Sequence, residues 1–349
     1  MSADALGARL RDEVHEETLE EFLRTLRGRH DPSPPPLGIP PLDRLCSSDP
    51  TRSSATHAPV LQISGPSCTG KTHLVYYILA LTVLPSRFRS VSLPSTKDAT
   101  AVILDTDSRF CIARLKQCMA SYITQHAPGP IPPASTEDFD SYNTDLDHTL
   151  RTALMQIHVF RPQSSAALLA TLEQLESYLF SATPSHRCAA RPLGLVAVDS
   201  ASAFYWPDKL SAEDDTATAL GTAGPPATSS FVKTHQTIVS GLRSLRLRFG
   251  CVVVVSSWIL GAGSGTEDYA HLPGVWAGFQ TMTVKVDKED VARFGLGMSA
   301  EEAVRDRKAR QEVVDRGKFV GYVMGERYGG RGRMGMHFCI ALNGIVVAD

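Results

Sequence analysis

The segment Gly65-Pro66-Ser67-Cys68-Thr69-Gly70-Lys71-Thr72 constrains this chain more than any other. An apolar run, Val60 to Ser64, leads into it, and His73-Leu74-Val75-Tyr76-Tyr77-Ile78-Leu79 leads out. A strand that ends in G-x-x-x-x-G-K-T and turns into a helix is a phosphate-binding loop. The glycines let the backbone curl so that successive N–H groups point at phosphate oxygens. The helix N-terminus adds its positive end. Lys71 is placed to reach the β- and γ-phosphates, and the Thr72 hydroxyl to ligate Mg²⁺. The expected cofactors are therefore ATP and Mg²⁺.

Such a loop needs a particular sheet around it, and the rest of the chain supplies one. Short apolar runs at Ala101–Leu104, Met155–Phe160, Leu193–Val198 and Cys251–Ser256 alternate with helical patterns at about Lys71–Leu84, Cys111–His126, Leu168–Leu179 and Ser229–Phe249. Strands apolar on both faces, separated by helices, predict a mostly parallel sheet flanked by helices. After Gly278 the style changes. Thr281–Val286, Phe319–Met324, Met336–Ala341 and Ile345–Val347 read as strands without intervening helices, an antiparallel C-terminal extension.

Ahead of this core, Ala5 to Arg29 reads as one helix, with Leu6, Leu10, Val14, Leu19, Phe22, Leu23 and Leu26 on its stripe. The stripe packs either on the chain's own core or on a partner. The prolines of His30–Pro41 cannot continue it, so residues 1–41 form a helix and arm and residues 42–349 the main domain. Three stretches read as inserted loops: Pro128–Asp147, Pro207–Ser230 and Gly261–Gly278.

Composition narrows the functional classes. Lys+Arg number 35 against 37 Asp+Glu, a net charge of −2, so no global footprint for nucleic acid or an anionic membrane exists. No run of 18 or more apolar residues suggests a membrane span. The seven scattered cysteines contain no C-x-x-C pair, which points to reduced thiols rather than a disulfide framework or a zinc site.

Two acids stand where metal and water chemistry would need them. Asp199 ends the strand Leu193–Val198, where an acid orients Mg²⁺ or its water; a strand-end acid capping a turn is the alternative. Asp107, in Asp105-Thr106-Asp107, is a candidate general base, or else part of a turn satisfied by local backbone N–H groups. Nine Lys/Arg lie between Arg305 and Arg333, either a single-strand-binding surface with Tyr328 or a solvated helix face followed by a hairpin.

The phosphate loop, then VILDTDSRF with a helix starting IARL, then LVAVDSASAFYW, resembles the RecA-like recombinase family. Asp199-Ser200-Ala201-Ser202-Ala203-Phe204-Tyr205-Trp206, with Ser164-Ser165-Ala166-Ala167-Leu168-Leu169, resembles its eukaryotic recombinase paralogues over roughly Leu37 to Val347. That resemblance implies an α/β RecA-like P-loop core and a nuclear mediator of homologous recombination and double-strand-break repair, in a heteromeric complex with other paralogues. The chain departs from active recombinases at two points. Asp107 stands where they carry Glu, and Ser256-Ser257-Trp258 where a γ-phosphate-sensing Gln is typical. Both favour ATP binding with weak or no hydrolysis. The family's DNA-contacting loops map to Pro207–Ser230, where Asp208, Glu213, Asp214 and Asp215 face Lys209 alone, and to Gly261–Gly278, where His271 and Trp276 are the candidates for stacking on bases. DNA contact by this chain alone is thus expected to be weak. An active DNA-dependent ATPase that remodels recombinase filaments is the main alternative, and an unrelated P-loop kinase or transferase a third.

Overall fold

The computed structural model describes residues 36–47, 58–130, 135–181, 191–219, 230–260, 269–270, 272–289, 297–324, 333–341 and 344–348, with 18, 19, 291 and 295 singly. The chain divides into two compact units, Met1–Pro34 and Pro35–Asp349. The expected helix Ala5–Arg29 lies outside the described residues apart from Thr18 and Leu19, and the second unit is the subject from here on.

In chain order the elements are α1 Pro40–Ser47, β1 Val60–Gly65, α2 Lys71–Val83, a two-residue hairpin of β2 Arg87–Phe88 and β3 Val91–Ser92, β4 Thr100–Asp105, α3 Ile112–His126, α4 Thr136–Leu154 and β5 Ile157–Phe160. There follow α5 Ser165–Leu179, β6 Leu193–Asp199, α6 Tyr205–Ala219, α7 Ser230–Phe249, β7 Val252–Leu260, β8 Tyr269–Ala270, β9 Met282–Lys288, α8 Ala300–Asp315, β10 Lys318–Met324, β11 Arg333–Ile340 and β12 Ile345–Ala348.

The main sheet runs β12-β11-β10-β9-β1-β7-β6-β4-β5. From β9 to β5 every neighbouring pair is parallel, and β10, β11 and β12 add on antiparallel. Strand periodicity sends alternate residues to opposite faces. Leu61, Ile63, Ala101, Ile103, Leu195 and Val254 pack with α2, α3 and α4 on one face. Val102, Leu104, Val196, Val198, Val253 and Val255 pack with α5 and α7 on the other. With both faces covered, these strands need no polar side, hence their near-continuous apolar sequence. Helix α2 is buried at ten of its thirteen positions, so it carries no polar face either. Truncating one of its leucines, such as Leu79→Ala, would cost about 2–5 kcal/mol.

Several expectations are corrected. The C-terminal strands are not free of helices, because α8 separates β9 from β10, and β9 itself is parallel to β1. Residues 136–147 are not an inserted loop but the first half of α4. Ser135 caps that helix through a reciprocal capping box with Asp138. The backbone of 205–219 is helical as well, so of Pro207–Ser230 only 220–229 lies outside the described residues. Within Gly261–Gly278, Tyr269–Ala270 pairs with β7 and Gly274–Trp276 is a 3₁₀ turn, while 261–268 and His271 are outside the description. The expected arm joins the core earlier than Pro41. Leu37 and Ile39 are fully buried, and Leu37 N–H donates to Asp43 Oδ1 at 2.8 Å.

Candidate functional site

Four parallel strands, β1, β4, β6 and β7, end at the same edge, and the crevice beyond strand ends is where open α/β sheets bind ligands. The loop between β1 and α2 forms one wall of a cleft of about 320 Å³. All of Ser67 to Thr72 lines it, joined by Asp107, Asp199 and Trp258. Residues far apart in sequence thus meet around the Gly65–Thr72 loop.

The loop holds itself in shape. Thr69 Oγ1 donates to the Pro66 carbonyl at 2.9 Å, and the Lys71 ammonium donates to the carbonyls of Gly65 at 2.9 Å and Pro66 at 2.6 Å. Gly70 takes a left-handed φ of +86° at the N-cap of α2, a conformation that costs an L side chain but not glycine. Gly65 is needed for a different reason. A β-carbon there would lie 2.3 Å from the Val286 carbonyl oxygen. Burial holds the Lys71 ammonium below its ordinary pKa, opposed by the nearby Asp199 carboxylate.

Asp199 is buried at the end of β6, and its carboxyl accepts hydrogen bonds from the Ser256 and Thr72 hydroxyls. Burial raises its pKa, and those two hydroxyls oppose the rise. Asp107 is raised too, first by burial and then by the Asp199 charge. The Asp199 charge thus bears on Asp107, and the carboxylate that adds to the rise at Asp199 is Asp105. The donor set of Thr72 hydroxyl and Asp199 carboxylate is all oxygen, the chemistry a hard Mg²⁺ ion selects when phosphates and waters complete its shell. Among the described residues no group of three or more His, Cys, Asp or Glu could hold a metal ion.

The two acids of Asp105-Thr106-Asp107 have different work. Asp105 accepts from the N–H groups of Arg109 at 3.0 Å and Phe110 at 3.1 Å, and pairs with Arg161 at 3.2 Å. It shapes the turn. Thr106 Oγ1 donates to the Ser200 carbonyl at 2.6 Å and ties that turn to β6. Asp107 alone of the three lines the cleft.

The segment Ser256-Ser257-Trp258 is likewise divided. Ser256 holds Asp199, Ser257 Oγ accepts from Gln62 Nε2 at 2.7 Å, and Trp258 faces the cleft opposite Gly65 in register. No glutamine is among the described cleft residues. Sequence reasoning missed Ser256, and also Tyr76, His73, Arg109 and Arg114 along the cleft. His73 and Tyr76 follow from the helix: they stand three residues apart near the start of α2, on one face, with ring centroids 6.0 Å apart.

Of the residues expected to meet nucleic acid, Trp276 is not available for stacking. Trp276 is buried, and its indole N–H donates to His235 Nδ1 at 3.1 Å. Lys209 lies over the rings of Trp206 at 5.5 Å and Tyr205 at 5.9 Å, and Asp208 accepts from Ser165 Oγ. Arg305, Arg307 and Lys308 stand exposed on α8, which buries none of its residues; Arg327 and Arg331 lie outside the described residues. No described helix is long and apolar enough to cross a membrane.

Comparison with known proteins places this cleft in context. No family model matches the chain. It is 26% identical over 164 residues to the DNA repair protein XRCC2 of Mus musculus, covering 47% of this chain and 47% of that protein. It is 26% identical over 231 residues to the DNA repair protein XRCC2 homolog of Arabidopsis thaliana, covering 63% of this chain and 57% of that protein. The match thus spans about half the length of each curated relative.

Proposed function

We propose that this chain, an XRCC2-like RecA-family recombinase paralogue, binds MgATP in the strand-end cleft and serves homologous recombination and double-strand-break repair as a mediator subunit. One observation carries the ATP reading: Lys71 and Thr72 converge with the buried Asp199 on a loop whose glycines admit no side chain. When bound, Mg²⁺ would be held by Thr72 and Asp199 and would neutralise phosphate charge. The Lys71 ammonium leaves the Gly65 and Pro66 carbonyls to meet the phosphates, and Ser256 keeps the Asp199 carboxylate aimed.

Hydrolysis is weak in this reading. Asp107 is one methylene shorter than the glutamate of active recombinases, and Trp258 offers no amide to a γ-phosphate. ATP then acts as a ligand that stabilises a partner-competent state. A ligand at 100 to 1,000 times its Kd contributes roughly 3–4 kcal/mol. The partners are other recombinase paralogues, the compartment is the nucleus, and DNA contact is weak or shared with those partners.

Equilibrium binding of a fluorescent ATP analogue with Mg²⁺, and turnover with and without single-stranded DNA, test this. The expectation is binding by the wild type, loss of binding in Lys71→Ala, and little stimulated turnover. A second reading, a DNA-dependent ATPase, has the placement of Asp107 in its favour. Robust stimulated turnover that disappears in Asp107→Ala would establish it and overturn the mediator reading. Affinity purification after DNA damage tests the partners; recovery of no other paralogue would refute that part.

A further inference from the structure

We propose that occupancy of the phosphate loop is transmitted to the outer edge of the sheet by the β11–β12 hairpin. The inference rests on the nucleotide reading above and adds its regulation. It starts from Gly70, the last loop residue before α2. A β-carbon on Gly70 would sit 2.8 Å from Ile340 Cδ1 and 3.1 Å from Phe338 Cε2. These β11 side chains therefore press directly on the loop.

The hairpin is held from other sides as well. Phe338 is buried and stacks on Phe319 of β10, with centroids 5.2 Å apart. Ile340 N–H donates to the Gly317 carbonyl at 2.9 Å. Arg114, on the cleft wall, donates from Nη2 to the Ala341 carbonyl at 2.7 Å and from Nε to His73 Nε2 at 3.3 Å. Gly344 lies so close to α3 that a β-carbon there would meet Ser121 Oγ at 2.6 Å. Ala341 thus touches the cleft wall and Gly344 touches α3. Its second strand, β12, ends the sheet and pairs with β11 alone among the described strands.

The Lys71 ammonium donates to the carbonyls of Gly65 and Pro66, and phosphate oxygens would compete for it. Drawing the ammonium from Gly65 and Pro66 pulls on the backbone that runs on to Gly70. Close-packed interiors pass such displacements on rather than absorb them. Among the described residues, the side-chain atoms nearest Gly70 belong to β11, so the pull arrives at the edge hairpin.

Hydrogen exchange of the full chain, with and without a non-hydrolysable ATP analogue and Mg²⁺, tests the coupling. Amides of 336–348 are expected to slow by ~5- to 150-fold on binding, the range typical of coupled sites. Ile340→Val removes only the Cδ1 methyl and leaves the cleft residues intact. It should lessen that slowing, while Phe338 keeps its own contact with Gly70. Phe338→Leu provides a second variant if Ile340→Val folds poorly. Analogue binding measured alongside separates the failures. Wild type that binds without slowing 336–348, or an Ile340→Val that keeps the full slowing, overturns the coupling. Wild type that does not bind overturns the nucleotide reading, and the coupling with it.

Discussion

His235 offers a test of the packing beneath the loop that follows β7. It lies on α7, 1% exposed, with the Phe231 ring centroid 4.8 Å away. Its Nδ1 accepts the Trp276 indole N–H at 3.1 Å, so its proton sits on Nε2, which is buried without a partner among the described residues. A second proton would place a charge where nothing receives it, and burial accordingly lowers the imidazole from 6.5 to about 4. The sign follows from linkage. The unfolded chain takes up the proton near 6.5 and the folded chain only near 4, so stability is full above 6.5 and falls with pH between those values. The full gap is worth roughly 3 kcal/mol, of which about 2 kcal/mol is lost by pH 5. The perturbation is His235→Asn, whose Oδ1 can accept the indole N–H without titrating. Urea unfolding followed by tryptophan fluorescence at pH 7.5, 6 and 5 should show the wild type losing about 2 kcal/mol more than the variant across that range. Carboxylates common to both proteins cancel in the comparison. NMR of the imidazole carbon gives a direct check, since the resonance absent from His235→Asn should stay flat down to pH 5. Equal pH slopes in the two proteins, or a titration midpoint near 6.5, would refute the reasoning.

Three further outcomes are expected. Gly65→Ala drives a β-carbon to 2.3 Å from the Val286 carbonyl oxygen, a backbone atom that cannot rotate away. It should cost ~1–3 kcal/mol and weaken ATP binding, read as a lower urea midpoint and a higher Kd. Ser256→Ala takes a donor from the buried Asp199 carboxylate. A loss of ~1–3 kcal/mol is expected, with Mg²⁺-dependent binding weakened more than Mg²⁺-independent binding, by titration calorimetry in each condition. Asp105→Asn leaves one carbonyl oxygen for the Arg109 and Phe110 N–H groups and removes the Arg161 partner. It should cost ~1.5–3 kcal/mol and raise exchange at Arg109 and Phe110, while Asp107→Asn should do neither.

How far the fold was legible follows from where its apolar residues lie. The central strands are buried on both faces and announce themselves as apolar runs, and α2 does the same at helical length. Helices α4 and α8 lack that signal. Of nineteen residues in α4 only Tyr142, Leu150 and Ala153 are buried, and its acidic, Ser/Thr-rich first half reads as loop. Helix α8 buries nothing, so its sixteen residues show charge without a stripe. Both open with a capping box, Ser135 with Asp138 and Ser299 with Glu302, and that local signal could have marked them.

The candidate site divides along a similar line. The loop Gly65–Thr72 is contiguous, so a motif alone points to the residues that line the cleft there. The rest depends on register, which no local pattern carries. Parallel pairing sets Ala197 beside Val254 and Val198 beside Val255, and one further step brings Asp199 to Ser256. On its other side β7 pairs with β1, and there Gly65 meets Trp258. A shift of two residues in β7 would keep its apolar faces buried yet set Trp258 against Asp199. The serine that holds the Asp199 carboxylate and the tryptophan that faces the cleft beside Gly65 are therefore one consequence of a single strand register. Any variant that shifts that register must disturb both together.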